Sequence, residues 1–111
     1  MFLEKRWELV HYLLRFTQEK KINWELGPAD SMYYANIGGS GVGIRIAGND
    51  FLVSLFNEDG EIVEMISDDD FQQSGYSNAY NVLSALHELA KAEATGSEKI
   101  VDSLLTALKS L

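Results

Sequence analysis

The stretch Ile37–Gly43 is the part of this sequence that looks most like a ligand-binding motif, because Gly39, Gly41 and Gly43 form a Gly-x-Gly-x-Gly pattern. A loop that binds a dinucleotide or a phosphate needs a strand before it and a helix after it, so that the helix N-terminus meets the phosphate. Here a strand pattern follows, and the stretch has no lysine for a P-loop. The pattern therefore predicts a hairpin turn, with Gly43 at a β-bulge or a close approach.

Three consecutive carboxylates, Asp68–Asp70, could suggest a metal site. Calcium loops take oxygen ligands from spaced positions, with a distant bidentate glutamate and a glycine at the sharp turn. Consecutive side chains point in different directions and form no such cage. We interpret the run as N-capping and dipole pairing before Phe71.

The two histidines, His11 and His87, are the remaining candidates for acid–base or metal chemistry. Each has an acidic neighbour, Glu8 for His11 and Glu88 for His87, but no further group converges on either pair. We interpret both as solvated histidines on helix surfaces. The chain has no cysteine, which excludes thiol catalysis and Cys-based zinc sites. The sequence thus predicts a protein that is not an enzyme and that uses no cofactor and no metal.

The elements that would position these residues follow from hydrophobic periodicity. Residues 2–18 repeat as a helix whose apolar arc is about 220° wide, against about 100° for an ordinary surface helix, so it is expected to touch more than one surface. Five segments with strand patterns follow, and their short connections predict an antiparallel meander. These segments are 22–26, 32–37, 42–47, 51–56 and 62–66. Trp24 is expected to pack under the first helix.

Two further helices are predicted after a polar, flexible connector at 72–77. The first covers 78–93. Gly96 suits the position just past its end, and Thr95 with Glu98 fits a capping box for the second, which carries an apolar stripe. The fold class is α+β: an N-terminal helix, a five-stranded antiparallel meander and two C-terminal helices packed on the sheet, in a single domain, 1–111.

Charge and length restrict the functions further. The 111 residues fit one domain, and the formal net charge is −8. Residues 24–76 hold ten acidic residues and one basic residue, Arg45. Because an acidic protein is repelled by the phosphate backbone, no nucleic-acid partner is expected. No apolar run approaches the roughly 20 residues that span a bilayer, and the first residues lack a secretory signal, so we expect a cytoplasmic protein and no membrane partner.

The predicted sheet offers a surface for a protein partner, because two of its strands are apolar on both faces. If every helix lay on one face, Tyr33 or Tyr34, Leu52, Phe56 and Met65 would form an exposed apolar patch on the other. The alternative is that helices cover both faces. We predict a non-catalytic protein–protein interaction module, homodimeric, whose acidic sheet surface binds a basic partner. The expected partner-binding residues are Trp7, Tyr12, Tyr33, Phe56, Glu58, Asp59, Glu61 and Glu64.

Two other functions stay open. One is a DNA-mimic inhibitor of a nucleic-acid-binding protein, which requires carboxylates spaced along one surface like phosphates. The other is a small-ligand-binding domain, which requires a concave pocket between sheet and helices lined by Trp24 and the tyrosines.

Two runs of the chain, Leu13–Glu25 and Phe51–Glu64, carry a resemblance. The first contains Lys21–Ile22–Asn23–Trp24–Glu25 at the end of a helix, and the second contains the turn Asn57–Glu58–Asp59–Gly60 between two strand patterns. This arrangement resembles a recurring type of small, uncharacterised bacterial or phage protein with a "Lys-Ile-x-Trp-Glu" strand. The resemblance covers most of the chain outside the glycine-rich turn. It implies a fold of helix, antiparallel meander and C-terminal helices, and it implies no activity.

Overall fold

The computed structural model describes residues 3–111, so the predicted start of the first helix at Phe2 lies outside the described residues. Nine elements follow one another along the described chain. They are α1 (Glu4–Gln18), β1 (Glu25–Leu26), β2 (Tyr33–Ile37), β3 (Ser40–Ala47), β4 (Asp50–Phe56), β5 (Ile62–Ser67), α2 (Asp68–Gln73), α3 (Ala79–Thr95) and α4 (Ser97–Lys109). The α+β fold class is confirmed.

The strands form one antiparallel sheet in the order β1-β2-β3-β4-β5, which confirms the meander. Gly38 and Gly39 have φ of 60° and 91° and make the turn between β2 and β3, so the glycine-rich stretch is a hairpin turn as predicted. β1 is shorter than predicted because the residue before it, Trp24, is hydrogen-bonded to α3 and not to a neighbouring strand. The Trp24 amide donates to the Glu93 carboxylate on α3 at 3.2 Å instead of joining a strand ladder.

One hydrophobic cluster joins the helices to a single face of the sheet. Ile44, Val53 and Ile66 supply the strand side of this cluster, and α3 covers them with Leu83 and Leu86. α3 contacts β1 to β4, α2 contacts β4 and β5, and α1 packs against α3. The helices that bury residues therefore lie on one face, and the other face of the sheet stays open.

Trp24 packs beneath α1 as predicted. Its ring is 4 % exposed, and its Nε1–H donates to Thr17 Oγ1 at 2.9 Å, in the last turn of α1. Thr17 in turn donates to the Leu13 carbonyl at 2.6 Å. The indole N–H is satisfied inside the core, which is what a buried tryptophan requires.

The connection after β5 begins with the helix α2, which includes the first two residues of the flexible connector predicted at 72–77. Ser67 caps α2: its Oγ accepts from the Asp70 amide at 3.1 Å, and the Asp70 carboxylate accepts from the Ser67 amide at 2.9 Å. This reciprocal pair is a capping box. Phe71 behind it is fully buried, which draws the segment onto the core.

α4 is placed differently from the prediction. Each of its 13 residues is exposed, and its main contacts are with α3, the helix before it, not with the sheet. Gly96 between them has a left-handed φ of 69°, as predicted. The predicted capping box is not formed: Gly96 occupies the N-cap position, and the Thr95 hydroxyl donates to the Lys91 carbonyl at 2.7 Å.

Candidate protein-interaction surfaces

The two histidines have different environments, although the sequence suggested the same one. His11 is exposed on α1, and its Nδ1 lies 3.1 Å from the Trp7 carbonyl oxygen, which confirms the surface position. For His87 the prediction is wrong. Its side chain is buried in α3, with its ring 5.4 Å from that of Tyr33 and 5.3 Å from that of Phe51.

Burial decides the chemistry of His87. Desolvation, opposed by Glu88 and assisted by Lys91, lowers the pKa of His87, so the ring stays neutral near pH 7. Its Nδ1 has no hydrogen-bond partner among residues 3–111, and Glu88 Oε1 is 3.9 Å away. Within that same range, no three His, Asp or Glu side chains converge as a metal site requires. His87 therefore behaves as a packing residue.

The run Asp68–Asp70 holds local structure together, as expected for residues at the start of a helix. Asp68 is buried and accepts from the Phe51 amide at 2.7 Å, which ties α2 to the start of β4. Asp69 accepts from the Gln73 side-chain amide at 2.8 Å. Desolvation and the nearby carboxylates of this run raise the pKa of Asp50. This corner of the sheet therefore has a negative potential, although its carboxylates are engaged.

The remaining predicted acids divide into two groups. Glu64 accepts from Arg6 Nε at 2.8 Å and from Arg6 Nη2 at 2.9 Å, and this bidentate pair lowers the pKa of Glu64 and joins α1 to β5. Glu58, Asp59 and Glu61 lie exposed on the turn between β4 and β5. That turn leaves the three carboxylates at one end of the sheet.

The predicted aromatic residues are mostly engaged within the fold. Trp7 stacks on Tyr76 with ring centroids 4.8 Å apart and lies 5.0 Å from Phe71. Tyr33 is half-buried against His87. Tyr12 alone among the four predicted aromatics is exposed, at 47 %. The expected exposure of Phe56 is wrong: it is 5 % exposed and meets the Tyr34 ring edge-on at 5.2 Å.

Two glycines in β3 explain why Phe56 is buried on the open face. An ideal Cβ on Gly43 would lie 2.5 Å from Met32 Sδ, and a Cβ on Gly41 would overlap the Tyr34 ring. Met32 and Tyr34 therefore lie flat over β3, and Met32 is only 2 % exposed. Over this part of β3 the open face of the sheet is covered by Met32 and Tyr34 and not by a helix. The predicted close approach at Gly43 is confirmed.

The edge strand β5 carries the exposed apolar residues that the sheet offers beside the acidic turn. Ile62, Val63 and Met65 are 48 %, 63 % and 55 % exposed. Beside them an open groove of about 550 Å³ runs between β5 and α2. The groove is lined by Leu3, Glu64, Met65, Ile66, Asp70, Gln73 and Ser74. We call Ile62, Val63 and Met65 with Glu58, Asp59 and Glu61 the β5 surface.

A second open groove, of about 460 Å³, lies between α1 and the end of β2. Leu9, Tyr12 and Phe16 line it from α1, Ile37 lines it from β2, and Lys21 lies at its border. The small-ligand interpretation required a pocket lined by Trp24 and several tyrosines. Trp24 is instead enclosed in the core, so this groove has a different lining from the expected one.

The exposed apolar stripe of α4 is the largest such feature on one element. Its residues are between 46 % and 99 % exposed. They are Ile100, Val101, Leu104, Leu105, Leu108 and Leu111, and we call them the α4 stripe. Periodicity predicted the stripe, but it could not show that the sheet is already covered by α3.

No helix within residues 3–111 is long and apolar enough to cross a membrane. Comparison with known proteins gives no assignment, because no family model, no curated protein and no solved structure matches the chain. The functional argument therefore depends on the surfaces described above.

Proposed function

We propose that this protein is a non-catalytic protein–protein interaction module that binds an extended segment of a basic partner along β5. The observation that carries the proposal is the position of β5: an edge strand with three exposed apolar side chains and a groove of about 550 Å³ beside it. The cytoplasmic location expected from the sequence is part of the proposal.

The backbone of β5 supplies the attachment. β5 pairs with β4 on one side and forms the edge of the sheet on the other. An edge strand presents N–H and C=O groups that an added strand satisfies, and pockets beside the edge select alternate side chains. Met65 and Ile66 form the β5 side of the groove, and Gln73 and Ser74 form its α2 side. A side chain of the added strand would enter between them.

Charge selects the partner. Glu58, Asp59 and Glu61 lie at one end of β5, and Asp70 lines the groove. Exposed charges of this kind act mainly on the association rate and on the choice of partner. A segment with lysine or arginine beside apolar residues would complement both parts of the β5 surface.

The same carboxylates favour this proposal over a DNA mimic. A mimic needs many free charges at regular intervals, whereas Glu64 is paired with Arg6 and Asp68 is buried against the Phe51 amide. Three exposed acids, Glu58, Asp59 and Glu61, cluster at the turn beside β5, whereas others, such as Glu25, lie at the opposite edge of the sheet and do not continue the row.

A peptide titration followed by NMR tests the proposal. The probes are two extended peptides, one alternating valine with lysine and the other alternating valine with glutamate. We expect the lysine peptide to slow hydrogen exchange at amides 62–67 and the glutamate peptide to leave them unchanged. The double variant Glu58→Lys/Glu61→Lys should weaken binding of the lysine peptide by about tenfold, since exposed ion pairs contribute about 0.2–1 kcal/mol each.

Glu25→Lys is the matched control, because Glu25 is an exposed acid on β1, at the opposite edge of the sheet. It should leave binding unchanged. Equal binding of both peptides, or protection at β1 instead of β5, would contradict the proposal.

A further inference from the structure

We infer that two copies of this chain pair through α4, with the helices antiparallel and the α4 stripes facing each other. This inference concerns a surface away from β5 and does not depend on the proposed function. It starts from the isolation of α4. All 13 residues of the helix are exposed. Five of the stripe residues, from Ile100 to Leu108, repeat at helical spacing along about 12 Å of helix, and Leu111 lies two residues past its end.

The shape of the molecule leaves α4 accessible to a second copy. The molecule extends 57 Å in its longest direction against 33 Å and 26 Å in the others. Gly96, with its left-handed backbone, ends α3 and starts α4, and the main contacts of α4 are with α3. An apolar helix face of this size, held away from the core, is typical of an interaction site.

Charge identifies a second copy as the occupant. The chain has a formal net charge of −8. α4 holds two acidic residues, Glu98 and Asp102, and two basic residues, Lys99 and Lys109, so its own net charge is zero. All of the net charge therefore lies outside α4. Two copies of an acidic protein meet with least repulsion where each is neutral.

The positions of Glu98 and Lys109 set the direction of pairing. They are 11 residues apart, which is close to three whole turns, so both lie on the same flank of the stripe. Antiparallel pairing centred near Leu104 places Glu98 of each copy opposite Lys109 of the other, twice by the two-fold symmetry. Parallel pairing about a two-fold axis would place this flank of one helix against the other flank of its partner, where neither Glu98 nor Lys109 would meet an opposite charge. The charges thus favour the antiparallel arrangement.

The available area predicts a weak dimer. Burying one Leu, Ile or Val side chain removes roughly 60–120 Å² from water, and since the six stripe residues are only about half exposed to begin with, they supply roughly 200–400 Å² per copy. Specific interfaces bury about 800 Å² per partner, of which about 60 % is apolar. The area that the stripe and its polar flanks can bury is therefore smaller than that of a typical specific interface. The dissociation constant is expected to be micromolar.

Sedimentation equilibrium over a range of concentrations tests the pairing. Glu98→Lys or Lys109→Glu alone replaces both intermolecular ion pairs by repulsions, and each should raise the dissociation constant by about tenfold. The double variant Glu98→Lys/Lys109→Glu should return it to within about twofold of the original value. An equimolar mixture of the two single variants should dimerise better than either alone. Lys99→Glu, on the face of α4 opposite the stripe, is the matched control and should change little.

A variant in the centre of the stripe separates this inference from the proposed function. Leu104→Asp should be monomeric at all concentrations. Its circular dichroism spectrum should still be that of the folded protein, because Leu104 is 57 % exposed and its replacement removes no core contact. Its binding of the valine–lysine peptide at β5 should persist. A wild-type protein that stays monomeric would overturn the inference. So would a dimer that persists in Leu104→Asp, or a dissociation constant that the single charge reversals leave unchanged.

Discussion

At the scale of single residues, His87 shows how tertiary contacts override a local pattern. The sequence, with Glu88 beside His87, suggested a solvated position, yet His87 lies on the buried side of α3 with Leu83 and Leu86. The rings that enclose it, Tyr33 and Phe51, come from strands far away in the sequence. The sequence did place a polar residue, His87, on an apolar helical face. Its burial could be recognised only once the strands that pack against that face were known.

The burial of His87 predicts that acid destabilises the fold. Burial lowers the pKa of His87 below its ordinary value of 6.5, so the unfolded chain binds a proton that the folded chain excludes. The free energy of unfolding should therefore fall as the pH drops from about 7.5 to about 5.5, with a slope of at most about 1.4 kcal/mol per pH unit for one proton. Urea denaturation at several pH values measures this slope.

His87→Phe is the variant that tests this explanation. It should flatten the slope between pH 7.5 and 5.5, roughly the range in which histidine titrates. The lowered pKa of Glu64 acts at lower pH, since its contribution is lost only as the pH falls below the ordinary value of 4.5. A slope that survives His87→Phe would contradict the assignment.

At the scale of elements, most of the fold was predictable because the strands and long helices keep their periods. β2 to β5 and α3 begin and end within about two residues of the predicted bounds. The Asp68–Asp70 run indicated a helix start, but the extent of α2 was not predicted, because its six residues are mostly polar and its stability depends on Ser67, Asp70 and the burial of Phe71. The candidate surfaces were harder to predict. The exposure of β5 and α4 depends on which face α3 occupies.

Gly43 leads to a prediction at the scale of elements. Because it has no side chain, Met32 can lie against β3 on the open face of the sheet. Gly43→Ala would place a Cβ against Met32 Sδ and displace a side chain that is otherwise 2 % exposed. We expect a loss of about 1–3 kcal/mol in the free energy of unfolding, the usual effect of overpacking. Chemical denaturation measures it.

Met32→Ala provides the matched test of that explanation. It removes the atoms that the new methyl group would meet, so adding Gly43→Ala to it should cost clearly less than Gly43→Ala alone. Equal costs in both backgrounds would mean that the loss arises from the backbone of β3 and not from the contact with Met32.

At the scale of the whole molecule, the chain separates into a packed body and an exposed helix. The body places α1, α2 and α3 on one sheet face, and its hydrophobic cluster extends from Leu3 to Ala90. α4 follows this cluster in the sequence and contributes no residue to it. A helix that adds nothing to the core of its own chain gains stability from packing against something else.

Ending the chain after Gly96 tests this division. The shortened protein should have the same free energy of unfolding as the full chain at low concentration, within about 0.5 kcal/mol, because it loses only exposed residues. Leu86→Ala, in the core-facing side of α3, is the contrasting variant and should cost about 2–5 kcal/mol. As concentration rises, the Tm of the full chain should increase through dimerisation while that of the shortened chain stays constant. A large loss of stability on shortening would place α4 within the fold of the monomer, and a constant Tm for the full chain would remove its role in pairing.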